Sequence, residues 1–134
     1  MHRLISRTLA LFAILAFTGG VLAAGKLAPQ TSSQSGVTVK VTPRSLAGAE
    51  WEFEVVFDTH SQELNDDPLK AAVLVADGSA PSSPTGWQGD VPGGHHRQGV
   101  LRFKAPAAAA PAKVELRLNR AGESAPRVFR WQLR

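Results

Sequence analysis

From residue 37 onward, apolar and polar residues alternate with a period of two along most of the chain. Val37, Val39 and Val41 alternate with Thr38, Lys40 and Thr42, and Trp51, Phe53, Val55 and Phe57 alternate with Glu52, Glu54 and Asp58. Successive side chains of a strand face opposite ways, so both stretches predict half-buried antiparallel strands, with residues 43–49 as the turn between them. Residues 70–76 (KAAVLVA) are apolar on both faces and stop at Asp77-Gly78, which predicts a more central strand ending in a tight turn. Residues 100–104 predict a short strand. Residues 105–112 carry prolines near both ends and read as an extended connector despite their alanines. Val114, Leu116 and Leu118, then Phe129, Trp131 and Leu133, predict a hairpin turning at residues 120–126.

Six or seven short strands and no amphipathic helix predict an all-β fold, a two-sheet antiparallel immunoglobulin-like β-sandwich. A small closed barrel is the alternative. The period assigns Trp51, Phe53, Val55, Phe57, Val73, Val75, Phe103, Leu116, Phe129 and Trp131 to the core.

The amino terminus has a different pattern. Arg3 and Arg7 precede an apolar run from Leu9 to Phe17, Gly19 and Gly20 break it, and small residues end at Ala23 and Ala24. These are the features of a signal peptide over residues 1–24. The apolar run is shorter than the ~20 residues a spanning helix needs, so a retained anchor is the weaker alternative. Residues 25–36 are nearly devoid of apolar side chains and predict a flexible lead-in; residues 37–134 form the folded domain. A periplasmic or extracellular location follows, with no membrane association after cleavage.

The chain has no cysteine, which excludes disulfides, thiolate metal sites and a cysteine nucleophile. The net charge of +4 falls to +2 once Arg3 and Arg7 leave, too little for a polyanion binder, and no basic-aromatic platform points to nucleic acid. Acidic residues gather at 50–67 and basic ones after residue 97. Cross-strand pairing of two outer faces is the expected use of that asymmetry.

Residues 77–99 hold six of the twelve glycines and three of the nine prolines, and connect two strands over an unusual length. A short strand at 85–88 with Trp87 pointing inward would divide them. Trp87, Asp90 and Arg97 are the residues of this stretch expected to meet a ligand or partner. Gly93-Gly94 precedes His95-His96, a backbone that can aim two imidazoles at one point. His60 follows the strand ending near Asp58. If these strand ends share a pole, His60, His95 and His96 with Asp58, Asp66 or Asp67 would supply nitrogen and carboxylate ligands suited to Zn or Cu. Asp66-Asp67-Pro68 also has the composition of a turn. The spacing around residues 58–67 does not fit a calcium-binding EF-hand loop. No nucleophile elbow is present, and a small sandwich offers little room for a substrate, so the chain reads as non-enzymatic; a hydrolase using His60 and Asp58 is the enzyme alternative.

With WEFEVVFDTHS, the NDD that follows it and GWQGDVPGGHHRQGVLRF, the chain resembles a group of small secreted prokaryotic proteins of unknown function. That resemblance implies export and carries no activity. The Gly94-His95 step with Gly99 and Phe103 is also faintly similar to a segment of periplasmic copper-resistance β-sandwich proteins. Here, however, the segment is followed by another hairpin, and no histidine stands at the mature amino terminus. The expected function is that of a secreted binding module with a transition metal at the histidine loop. The alternative is a protein-interaction or envelope-associated structural module without metal, in which the Trp87 loop makes the contacts.

Overall fold

A computed structural model describes residues 27–107 and 110–134; the expected signal peptide lies outside them. Eight strands form two antiparallel sheets. The larger has the order β1 (Gln30–Gln34), β2 (Val37–Ser45), β3 (Glu50–Thr59), β6 (His96–Lys104) and β5 (Gly86–Gly89), and the smaller has β4 (Ala72–Ala76), β7 (Lys113–Leu118) and β8 (Arg127–Gln132). One helical turn, α1 (Pro68–Ala71), precedes β4. The arrangement is a β-sandwich, as the period-two pattern predicts. Among the described residues no helix is long and apolar enough to cross a membrane.

Both inner faces follow from the alternation. Val37, Val39 and Val41 of β2 and Trp51, Phe53, Val55 and Phe57 of β3 are buried, as are Leu101 and Phe103 of β6. Val114, Leu116, Leu118, Phe129 and Trp131 close the core from the other sheet. Phe53 stands edge-on to Phe103, ring centroids 5.8 Å apart, and reaches across to Trp131 at 5.6 Å. Outer-face charges pair across strands: Arg102 Nε donates to Glu52 at 3.3 Å, as the charge asymmetry predicts, and Arg130 Nε to Glu115 at 2.8 Å within the basic half.

Two expectations need correction. Leu74 and Ala72, rather than Val73, enter the core cluster from β4, and Val73 is half-buried; Val75 is buried as expected but stands outside that cluster. A run apolar on both faces carries no phase of its own, and the register decides: Leu74 lies opposite the inward Leu116. The lead-in is also ordered from Gln30. Ser35 (φ 51°) and Gly36 (φ 75°) make a two-residue left-handed turn that folds β1 back on β2, with Gln34 opposite Val37. A polar sequence becomes a strand here because its turn and polar bonds, those of Gln30, Ser33 and Gln34 among them, hold it in place of apolar burial.

The strand directions gather four connections at one pole: the turn at 35–36 and the loops at 60–67, 90–95 and 119–126. Replacing Phe53 with Ala should cost about 3–5 kcal/mol, because its ring is fully buried between both sheets. Urea denaturation measures it, and a loss below about 1 kcal/mol would contradict this packing.

Candidate functional site

The loops of this pole are stitched to one another by backbone groups. Thr59 N donates to His95 O at 2.9 Å, Leu64 N to Gly94 O at 3.0 Å and Gly93 N to Leu64 O at 2.8 Å. Glu63 accepts from Gly94 N at 2.9 Å, and Thr59 Oγ1 donates to Gly36 O at 2.8 Å. Gly93 (φ 112°) and Gly94 (φ 73°) take backbone angles open to glycine. Those angles serve the pairing with Leu64, which is fully buried. Asp67 accepts from Leu69 N at 3.0 Å and caps α1, with Pro68 at its start.

His60, His95 and His96 do share this pole with Asp58, Asp66 and Asp67, but they do not gather around one point. β3 continues to Thr59 and pairs with β6 as far as Asp58 opposite His96, which draws His96 into the ladder. His96 Nδ1 and Asp58 Oδ1 then meet at 2.5 Å. His60 and His95 are exposed. Among the described residues no group of three or more His, Cys, Asp or Glu side chains is placed to hold a metal ion. The Asp58 carboxylate bonds His96 instead of His60, and the neighbouring hydroxyls of Thr59 and Ser61 contact each other at 3.4 Å.

The partner-loop residues also divide. Trp87 lies opposite Leu101, and its indole covers Gly99: a Cβ on Gly99 would meet the ring at 2.5 Å, so only glycine fits beneath it. The Trp87 indole N–H donates to Asp90 O at 3.2 Å. Asp90 accepts from Gln98 N at 2.9 Å through its carboxylate and stays exposed. Arg97 is 1% exposed and cannot be a contact residue. It stands in phase with Leu101 and Phe103 on the inner face of β6, and its guanidinium donates to the carbonyls of Leu64 (3.2 Å), Asp66 (2.7 Å) and Asp90 (3.2 Å). Its carbon Cζ lies 5.8 Å from the Trp87 ring centroid.

Arg97 begins a buried relay of charges. Arg120 grips Asp66 with two bonds of 2.9 Å and reaches Glu123 at 3.1 Å. Arg127 grips Glu123 at 2.9 and 2.7 Å and donates to the carbonyls of Ser32, Val37 and Gln34, each at 2.9 Å. These side chains are nearly inaccessible, between 0% and 7% exposed from Asp66 to Arg127. The hydrogen bonds of Arg127, more than burial opposes them, hold the Glu123 carboxyl down at about 2, with Gln34 and Arg120 adding to the effect. Burial works against the Arg120 charge, yet the bonds and charge of Asp66 outweigh it and raise its pKa. The relay is absent from the sequence expectations, although Arg127 stands in phase with Phe129 and Trp131 just as Arg97 does with its strand. An arginine in an apolar phase was the available signal.

The chain matches no family model, no curated protein and no solved structure.

Two pH dependences follow. Glu123 has an ordinary value of 4.5 and sits at about 2 when folded, so its contribution is complete above pH 4.5 and disappears as pH falls towards 2. That contribution is about 3 kcal/mol, and Glu123→Gln should remove it at neutral pH and flatten the acid limb of the stability curve. The bond to Asp58 raises His96 above 6.5; its stabilisation is present below that pH and is lost as pH rises through the raised value. Imidazole titration by NMR should show that raised midpoint, and Asp58→Asn should bring it down.

Proposed function

We propose that the chain is an exported, non-enzymatic binding module that holds another protein against the β5 side of its loop pole. The observation that carries this reading is Val91, an aliphatic side chain 79% exposed on a loop pinned at both ends. Leu69 on α1 is 44% exposed, and Pro92 beside Val91 is also exposed. Apolar groups on a fixed frame, set among carboxylates, suit a contact with a partner. Export rests on the basic, apolar and small-residue succession of residues 1–24. In this reading the histidines serve the surface through hydrogen bonds, as His96 does with Asp58, and neither Zn nor Cu is required.

A photo-crosslinking residue at position 91, in protein expressed with its amino-terminal segment, tests the reading. Adducts with a discrete partner should form from position 91 and not from position 47, at the opposite pole. An absence of adducts, or the same adducts from both positions, would contradict it. Calorimetric titration with Zn and Cu salts is the companion measurement: tight binding abolished by His60→Ala would replace the protein partner with a metal.

A further inference from the structure

The two sheets have four edges, and two of them are met by other parts of the chain. On β1, the two-residue turn sets Gln34 and Ser32 to bond β2, so the N–H and C=O groups of Thr31 and Ser33 face outward, along a strand with no apolar side chain. On β8, the Gln30 carboxamide bonds both the N–H and the carbonyl of Arg130. On β4, Leu74 exchanges two hydrogen bonds of 2.9 Å with Ser82. β5 is open as well among the described residues, and it is flanked by apolar side chains. Its register pairs Gln88 with Val100 and Gly89 with Gly99, and Asp90 N donates to Gln98 O at 3.0 Å. In an antiparallel ladder the bonded positions alternate, so Gln88 and Asp90 face β6 while the N–H and C=O groups of Trp87 and Gly89 face outward. β5 itself carries neither the lysine nor the proline that often guards such an edge.

Beside this edge lies an open hollow of about 360 Å³. Pro68, Trp87, Val91 and Pro92 supply its apolar wall. At the rim, Asp67 and Asp90 each use one carboxylate oxygen, on Leu69 N and Gln98 N, which leaves the other oxygen without a partner. The one cation of the hollow, Arg97, is buried and bonded to carbonyls. The exposed charge is therefore negative.

We propose that the open edge of β5 takes an extended segment of a partner polypeptide as an added strand, with an apolar side chain in the hollow and a basic one facing Asp67 and Asp90. This deepens the binding-module reading and rests on it. Unpaired amides and carbonyls in alternation are matched by another peptide backbone, and side chains beside it supply the selectivity. A second copy of this chain fits less well. β5 carries no basic residue, and pairing two such edges would bring like carboxylate rims together.

The probe is an acetylated, amidated peptide of alternating valine and lysine, added at millimolar concentration to the intact exported chain. Hydrogen exchange at the Trp87 and Gly89 amides should slow by at least about tenfold. The same peptide N-methylated on alternate residues should give no protection, and a valine–glutamate peptide should bind about tenfold more weakly. Unchanged exchange at both amides, or equal protection by the methylated peptide, would overturn strand addition. Protection that grows with protein concentration alone would assign the edge to a second copy instead. If strand addition fails while position 91 still crosslinks to a partner, the binding-module reading survives with a different mode of contact; if both fail, both fall.

Discussion

An arginine removed from water must find partners for five N–H donors, and three arginines face that demand side by side at one end of this sandwich. Arg127 does so completely: two bonds go to Glu123 and three to carbonyls of β1, β2 and the residue that ends β1. Arg120 divides its bonds between Asp66 and Glu123, and Arg97 takes the carbonyls of Leu64, Asp66 and Asp90. Three buried cations face two buried carboxylates, and six carbonyl oxygens take the remaining donation. Desolvation costs several kcal/mol per ion, so such a cluster stands only with its geometry complete. The Nε of Arg97 is the one buried side-chain donor without a partner among the described residues.

That condition ties together parts of the molecule that share no backbone pairing. Arg127 starts β8 in the smaller sheet, yet its partners include the edge of the larger one. Asp66 links Arg97 of the larger sheet to Arg120, in the loop between β7 and β8 of the smaller, through its own carbonyl and carboxylate. The loops at 60–67, 90–95 and 119–126 are thereby fixed from beneath. The surface they present, with Val91, Leu69 and the open edge of β5, is held on a rigid frame. Preorganisation of this kind reduces the ordering cost of a contact, which is why the frame bears on function.

The strands were legible wherever one face is apolar and the other polar. Trp51 to Phe57, Leu116 and Phe129 to Trp131 lie inside as their phase requires. Phase failed for β4, where valine and alanine occupy both faces and only pairing with Leu116 selects Leu74. It failed for β1 because the determinants are a turn at Ser35-Gly36 and an arginine nearly a hundred residues away. At the loop pole, the condition that the sequence left open, a shared end for the three histidines, is met by the alternating strand directions. Their convergence was not legible, since it depended on how far β3 and β6 remain paired. Composition encouraged a surface reading of the arginines, whereas Arg97 and Arg127 occupy apolar phases and go inside.

The most direct test of this account is the stability of Arg127→Met, measured by urea denaturation followed through tryptophan fluorescence at neutral pH. Methionine keeps much of the length and apolar character of the side chain while removing its five hydrogen bonds. It leaves the carbonyls of Ser32, Gln34 and Val37 without that donor. If the buried relay holds the two sheets together at the loop pole, the variant loses about 3–5 kcal/mol. An unchanged or raised midpoint would show that apolar packing alone holds this end of the sandwich, and would contradict the account.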